Sequence, residues 1–385
     1  MSKIPHTNIT RLKVKNYRSL ADIDIALHPL TVFVGKNSTG KSNVIDVLRF
    51  VRDGLTDGLE YVLNSRGGYQ ALHCWFVDQS DPVSIHLSFE GPEWSGEYGF
   101  AFVQEGDQVK ITAEQLNIRA DERADEVFFK VVDGMFRVSP NLPAPNGHHR
   151  QKSAFYLSTF AKSSPQLKAV YNFLAHMSFS VYRKQYGRLA NGHPFPLLEN
   201  GHNLASTLRE LQKRSKDYLI TQALEVVVEG VDGYLIEPMG EDLVTKLHYT
   251  FQNGTTLASN LSDEGDGTRQ LLAILAALYQ DRFPSPLAIE EPEQKVYSRA
   301  LALLADVLQE AAFSYQVLVT THSPDLIDHF PVDSFLVVEK ENGVTKIGPI
   351  MAQQRHSIQK RWFSTGEIVQ MEGLQRETSP AREEI

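Results

Sequence analysis

The chain opens on an alternation of apolar and polar positions. Ile9-Thr-Arg-Leu-Lys-Val-Lys-Asn-Tyr predicts a strand, Ser19-Leu-Ala-Asp-Ile-Asp-Ile-Ala-Leu a second, and the apolar run from Leu30 to Val34 a third. The first two are expected to pair antiparallel and to form one N-terminal lobe with the third. Alternation returns at Pro82-Val-Ser-Ile-His-Leu-Ser-Phe, Tyr98-Gly-Phe-Ala-Phe-Val and Val109-Lys-Ile-Thr, which predicts a β-meander extending that lobe. Asp133-Gly134 between Val127-Phe-Phe-Lys-Val-Val and Met135-Phe-Arg-Val is a hairpin signal. Over 164–224 the period becomes helical, as in Pro165-Gln-Leu-Lys-Ala-Val-Tyr-Asn-Phe-Leu, in the segment that Asn203 is positioned to cap, and after Lys216. Strand character resumes at Leu235, Val244–Phe251 and Thr255, and a polar tail is expected over 370–385.

One stretch organises the rest: Thr31-Val-Phe-Val-Gly35-Lys-Asn-Ser-Thr-Gly40-Lys41-Ser42, followed by a helical pattern from Asn43. This is G-x-x-x-x-G-K-S with a strand before and a helix after, the context a phosphate loop needs. Gly35 and Gly40 let backbone N–H groups curl inward around phosphate oxygens, and the helix N-terminus adds partial positive charge. Lys41 can reach the β- and γ-phosphates of ATP, and the Ser42 hydroxyl can ligate Mg²⁺. Asn37, Ser38, Thr39 and Asn43 complete the candidate nucleotide-binding set. Arg18, between the first two strands, is either a phosphate-reaching residue or a solvated turn arginine.

Three later segments bear on the same chemistry. Leu261-Ser262-Asp263-Glu264-Gly265-Asp266-Gly267 precedes a strong helix, so Ser262, Gly265 and Gly267 make either an anion site or a capped polar helix start. Pro286-Leu-Ala-Ile-Glu290-Glu291-Pro292-Glu293 reads as a buried strand ending in paired carboxylates. Glu290 is assigned to the Mg²⁺ shell and Glu291 to the base that takes a proton from the attacking water. Gln316-Val-Leu-Val-Thr-Thr321-His322 is another buried strand, and its terminal imidazole can bond a γ-phosphate or orient the water.

Composition narrows the class. With 385 residues, 42% hydrophobic and 22% charged, the chain has ample core for a globular protein of two or three units. The net charge of -9 confines any nucleic-acid contact to a local basic patch. Candidates are Arg183, Lys184 and Arg188 with Tyr182 and Tyr186 interleaved, and Arg209, Lys213, Arg214 and Lys216, each also readable as a solvated helix face. Cys74 is the single cysteine, so neither a disulfide framework nor a thiolate zinc site is expected. His148-His149 has no partner at ligand spacing and reads as a solvated loop. The N-terminus lacks the apolar core of a signal peptide, and no run reaches the ~20 apolar residues of a membrane span. A cytoplasmic protein is expected.

Together the four motifs resemble an ABC-type ATPase of the RecF/SMC kind, and more narrowly the AAA-type ATPases of the overcoming-lysogenization-defect (OLD) family. Ile289-Glu-Glu-Pro-Glu, Leu261-Ser-Asp-Glu-Gly-Asp-Gly-Thr-Arg-Gln-Leu-Leu, Thr320-Thr-His-Ser-Pro, Lys15-Asn-Tyr-Arg-Ser-Leu and Glu199-Asn-Gly-His-Asn-Leu-Ala carry the match. The resemblance implies an α/β P-loop NTPase: an ABC-ATPase head with a mixed N-terminal β lobe, a parallel core sheet and an inserted helical arm. The expected divisions are 1–140, 141–230 for the arm, and 231–385. It implies a head-to-head homodimer with two buried ATP molecules, in which Lys41 and Ser42 face Ser262 and Gly265 or Gly267 of the other copy. Gln70 is the candidate Q-loop residue near Mg²⁺, and Asn37 approaches the γ-phosphate. After the acidic motif the chain runs Gln294-Lys-Val-Tyr-Ser, where the family is rich in His and Pro. OLD proteins commonly carry a Toprim nuclease. No Asp-x-Asp follows a buried strand here, so nuclease chemistry is expected on a separate effector protein. The expectation is an ATP-gated switch of anti-phage defence; the alternative is a RecF-like repair ATPase that binds duplex DNA through the arm. A membrane-transporter cassette is disfavoured by the long insertion and the Glu-Glu motif.

Overall fold

The structure is a computed structural model that describes residues 6–92, 94–120, 127–140, 142, 155–180, 194–240, 242–280 and 286–378. First come β1 (Asn8–Tyr17), β2 (Leu20–Ala26), β3 (Leu30–Val34), α1 (Lys41–Asp57), α2 (Leu59–Ser65) and α3 (Tyr69–Leu72). A strand-rich part follows with β4 (Val83–Glu90), β5 (Trp94–Glu105), β6 (Gln108–Ala120), β7 (Val127–Val132) and β8 (Met135–Val138). The middle holds α4 (Tyr156–Phe160), α5 (Pro165–Ala175), β9 (Ser178–Ser180), α6 (Leu204–Lys213) and α7 (Asp217–Val227). Then come β10 (Val231–Met239), β11 (Asp242–Thr250), β12 (Thr256–Asn260), α8 (Asp266–Leu278), β13 (Leu287–Glu290), α9 (Ser298–Ala312) and β14 (Val317–Thr321). The last are α10 (Pro324–Ile327), β15 (Phe335–Glu341), β16 (Val344–Gly348), α11 (Ala352–Gln359) and α12 (Thr365–Met371).

Among the described residues these strands form three sheets. An antiparallel sheet runs β2-β1-β4-β5-β6-β7-β8, a small one runs β10-β11-β12, and a third runs β16-β15-β3-β14-β13-β9. In the third, β15, β3, β14, β13 and β9 are mutually parallel and β16 pairs antiparallel at the edge. The parallel strands read as continuous apolar runs because both faces are covered. On β3, Phe33 points into a core shared with α1, α4, α5 and the antiparallel sheet. Val32 and Val34 point into a second core built with α6, α7, α8 and α9. The same split places Leu318 in the first core and Val317 and Val319 in the second.

Phe50 of α1 lies 5.6 Å from Phe102, and Phe100 is 6.2 Å from Phe102, all stacked, which seats the helix on the antiparallel sheet. Each such fully buried side chain contributes about 1.5–3 kcal/mol. Gln316, fully buried, ties the two sheets: its Oε1 accepts from Ile9 N–H at 2.9 Å, and its Nε2 donates to Ile9 O at 2.7 Å.

Several local expectations change. β3 leaves β1 and β2 and joins the parallel sheet, because an apolar run must be covered on both faces. The segment 178–180, inside the helical stretch, is a strand that pairs with β13. Asn203 takes the N-cap position of α6, but its side chain makes no cap bond and instead accepts from Leu198 N–H at 2.8 Å and donates to Pro196 O at 2.9 Å. The described helices of 141–230 contribute to both cores: Leu167 and Leu174 enter one, Leu208 and Leu224 the other. The tail expected from 370 begins inside α12, whose Ser364–Glu367 capping box starts a helix over Thr365–Met371. Among the described residues no helix is long and apolar enough to cross a membrane.

Glu114 is fully buried between β6 and α4, accepting from Tyr156 and Leu157 N–H at 2.7 and 2.9 Å and from the Tyr98 hydroxyl at 3.0 Å. Burial pushes its carboxyl up from 4.5 to about 7, against the pull of those three donors. A raised carboxyl favours the folded state below its unfolded value and loses that contribution as pH rises through the folded value. Relative to Glu114→Gln, the wild-type chain is therefore expected to lose about 3 kcal/mol between pH 4.5 and pH above 7. Urea unfolding of both proteins across that range checks this; parallel pH dependences would contradict it.

Candidate functional site

The carboxyl ends of three parallel strands coincide. Val34 of β3 pairs with Thr321 of β14, and Thr320 of β14 pairs with Glu290 of β13. The phosphate-loop segment, His322 and the paired glutamates therefore leave the sheet along one edge, with β14 in the middle. Ligand sites form outside such strand ends.

The loop 35–40 is shaped by what surrounds it. Gly40 has φ of 109°, and a Cβ there would run into the hydroxyls of Thr345 and Ser19. At Gly35 a Cβ would run into the Val338 carbonyl. Ser38 also takes a positive φ, and Asn37, Ser38 and Ser42 are exposed. Thr39 is buried, and its hydroxyl donates to Lys36 O at 3.0 Å. Lys41 is 5% exposed and folds back to donate to Gly35 O at 2.7 Å and Lys36 O at 2.9 Å. Burial lowers its pKa, while Glu291 and Glu293 pull it back up. Asn43 is turned behind the loop, donating to Ser19 Oγ at 2.7 Å. The Thr345 hydroxyl donates to Thr39 O at 2.7 Å, which leaves Ser19 as donor in its 2.6 Å contact with Thr345. Ser19 and Thr345 thus brace the loop; Ser19 falls in the Lys15-Asn-Tyr-Arg-Ser-Leu segment, while no local motif in the sequence announces Thr345.

Ser42 and Glu290 line one cavity of about 500 Å³ with Arg18, Asp46, Arg49, Glu199 and Asn200. Arg49 Nη2 donates to Glu290 Oε1 at 3.0 Å. Arg18 is on this wall, held by Asp46 at 3.1 Å, so the structure brings it to the site. Gln70 is not among the described lining residues; it is exposed on α3, and its carbonyl accepts from the Trp75 indole at 3.3 Å.

Glu291 has φ of 46°, an unusual backbone for a glutamate. Its N–H donates to Thr320 O at 2.9 Å, and its Oε2 accepts from the Gln294 amide. Its Oε1 stands 3.5 Å from His322 Nδ1, which is also 3.6 Å from Glu293 Oε1. Glu293 was not singled out from the sequence. Its Oε1 accepts from the Thr321 hydroxyl at 2.6 Å and His322 N–H at 3.2 Å, pinning the turn that carries the imidazole, and its buried Oε2 has no partner among the described residues.

The Leu-Ser-Asp-Glu-Gly segment is not among the described lining residues of this cavity. Ser262 and Gly265 are exposed, and Gly265 takes the N-cap position of α8. Gly267 is buried, and a Cβ there would run into the Lys295 carbonyl of the same chain. Asp266 accepts from Lys295 Nζ at 2.5 Å and from Arg269, partners that hold its carboxyl below the usual range. Of the basic clusters, Arg183, Lys184 and Arg188 and the pair His148-His149 lie outside the described residues. Lys213 and Arg214 are paired with Glu210 at 3.5 and 3.1 Å.

A triphosphate with a divalent cation fits these residues. Two glycines have no room for a side chain in the loop, a buried lysine lies over it, and a hydroxyl and a carboxylate share one cavity. Hard oxygen ligands of this kind, completed by phosphate oxygens, suit Mg²⁺.

The fold and loop define a P-loop nucleotide-binding head of the ABC/AAA type. Residues 30–328 match the family described as "AAA domain, putative AbiEii toxin, Type IV TA system", and the chain belongs to that family. It is also similar to an OLD nuclease from Thermus scotoductus, 23% identical over 352 residues that cover 86% of this chain and 62% of that protein. A RecF DNA replication and repair protein from Halalkalibacterium halodurans is 26% identical over 88 residues, 22% of this chain and 24% of that protein. The chain thus spans less than two thirds of the length of these curated relatives. Among solved structures, an SMC head bound to the C-winged helix domain of ScpA superposes with a TM-score of 0.49 at 14% identity, covering 91% of this chain and 100% of that one. The SMC head domain from Thermotoga maritima gives 0.45 at 13% identity, covering 90% and 100%.

Thr345→Val removes the hydroxyl that links Ser19 to the Thr39 carbonyl. A cost of about 1–3 kcal/mol is expected in urea unfolding, since buried polar groups are left unpaired; a change under about 0.5 kcal/mol would show that the brace is idle.

Proposed function

We propose that this protein is a Mg²⁺-dependent ATP hydrolase that works as an ATP-gated dimeric switch. The observation that carries the proposal is the coincidence of the three strand ends, which gathers Lys41, Ser42, Glu290, Glu291 and His322 along one edge.

In this account the amides of residues 35–41 cradle the phosphates, and Lys41 shifts from the loop carbonyls to the β- and γ-phosphate oxygens. Asn37 approaches the γ-phosphate, and Arg18 supplies charge from the cavity wall. Ser42 and Glu290 would hold Mg²⁺, which when bound would offset charge on the phosphates. Glu291 takes a proton from the water that attacks the γ-phosphorus, and the bond to the departing ADP oxygen breaks. His322, with Nδ1 facing Glu291 and Glu293, presents Nε2 to the water or the γ-phosphate. Ser262, Gly265 and the α8 N-terminus of a second copy complete the site. Closure is then stabilised by ATP and released by hydrolysis.

We assign the switch to a cytoplasmic anti-phage or toxin system acting with a separate nuclease or toxin effector. The toxin–antitoxin description of its family and the OLD nuclease similarity over 86% of the chain support this. The RecF similarity favours a second reading, ATP-dependent duplex binding, which salt-sensitive DNA binding by the purified protein would support.

Lys41→Ala is expected to weaken ATP binding at least tenfold, as for loss of a charged phosphate contact. Glu291→Gln should keep binding, lose about 10²- to 10⁴-fold in turnover, and elute as a dimer with ATP under light-scattering detection. Wild-type protein that binds no ATP, or a Glu291→Gln protein that stays monomeric with it, would contradict the proposal.

A further inference from the structure

We propose that Arg49 is the positioning residue of Glu290, and that it sets the affinity of the site for its divalent cation. This rests on the Mg²⁺-ATP reading above. Glu290 stands where a shorter aspartate would have one rotatable bond fewer, so its carboxylate needs a holder if it is to face Ser42 in one orientation. Arg49 supplies one. Its Nη2 donates to Glu290 Oε1 at 3.0 Å, and among the described residues only that oxygen is engaged.

Three other groups surround the guanidinium. Nε lies 3.3 Å from Glu199 Oε2 without forming a hydrogen bond, Nη1 lies 3.8 Å from Asp46 Oδ1, and Cζ sits 4.9 Å from the Phe179 ring. The side chain is 17% exposed. A planar guanidinium seated among these groups offers a preferred direction to the carboxylate it bonds, as a flexible ammonium does not. The partners come from separate parts of the chain: Asp46 and Arg49 on α1, Glu199 before α6, Phe179 on β9, and Glu290 on β13.

The charges favour positioning over competition with the cation. Asp46, Glu199 and Glu290 surround the Arg49 guanidinium, while Arg18 and Arg66 share Asp46 and Arg52 shares Glu199, so the cluster is close to balanced and repels an incoming cation little. A competitor would instead have to leave Glu290 before the cation arrived.

The test uses the full chain, a fluorescent ATP analogue and a Mg²⁺ titration at fixed nucleotide. Arg49→Met keeps the packing on Phe179 and removes the fork. It is expected to raise the half-saturating Mg²⁺ about tenfold, as when the outer partner of a metal ligand is lost. Affinity for the analogue in EDTA should stay within about twofold of wild type, and Arg49→Lys should give an intermediate midpoint. A midpoint unchanged or lowered in Arg49→Met overturns the proposal. If that protein does not fold, the Arg49→Lys midpoint decides alone, and a value equal to wild type overturns it. Wild-type protein that fails to bind the analogue at all defeats the Mg²⁺-ATP reading instead, so the two failures are distinguishable.

Discussion

The register of β3, β14 and β13 is the constraint on which the rest of the molecule depends. Strand side chains repeat every two residues, so a slip of one position would turn every core residue to the other face. Here both faces are committed. Phe33, Leu318 and Ala288 belong to one core, and Val32, Val34, Val317, Val319, Leu287 and Ile289 to the other. The cores lock the register, and the register aligns Val34, Thr321 and Glu290 at one edge. The loops that leave this edge inherit their positions from hydrophobic packing far from any phosphate.

The edge is also a place where charge is balanced at short range. The chain carries -9 overall, yet around α1 the groups Arg18, Arg49, Arg52 and Arg66 face Asp46, Asp53, Glu199 and Glu290. Half-buried charges left unpaired would be costly. Pairing them offsets the cost of keeping carboxylates in a cavity wall. Glu291 and Glu293 share one imidazole, and Glu293 is tied through Thr321 to the turn that carries it.

What could be read from the sequence was local. The phosphate loop is legible because its glycines, lysine and serine fall within eight residues between a strand and a helix. Glu291 and His322 are legible because each comes at the end of a short, largely apolar strand run. The partners that hold these groups are not, because they come from elsewhere in the chain: Arg49 meets Glu290 across 241 positions, and Thr345 meets Thr39 across 306. The same limit hid the departure of β3 from the N-terminal lobe, since alternation shows a strand but not its neighbours. The strand at 178–180 is too short to carry a period. The Ser364–Glu367 capping box was visible in principle, but it begins a helix of only seven residues, too short to show a period.

If the aligned strand ends make one Mg²⁺-ATP site, three distant segments must respond to nucleotide together. Hydrogen exchange read by mass spectrometry, with and without Mg²⁺-ATP, follows the backbone amides of all three at once. Slower exchange is predicted in peptides covering 35–48, 290–294 and 320–324, with β4 to β6 of the antiparallel sheet unchanged. Protection confined to one of these segments, or none in any of them, would contradict the account.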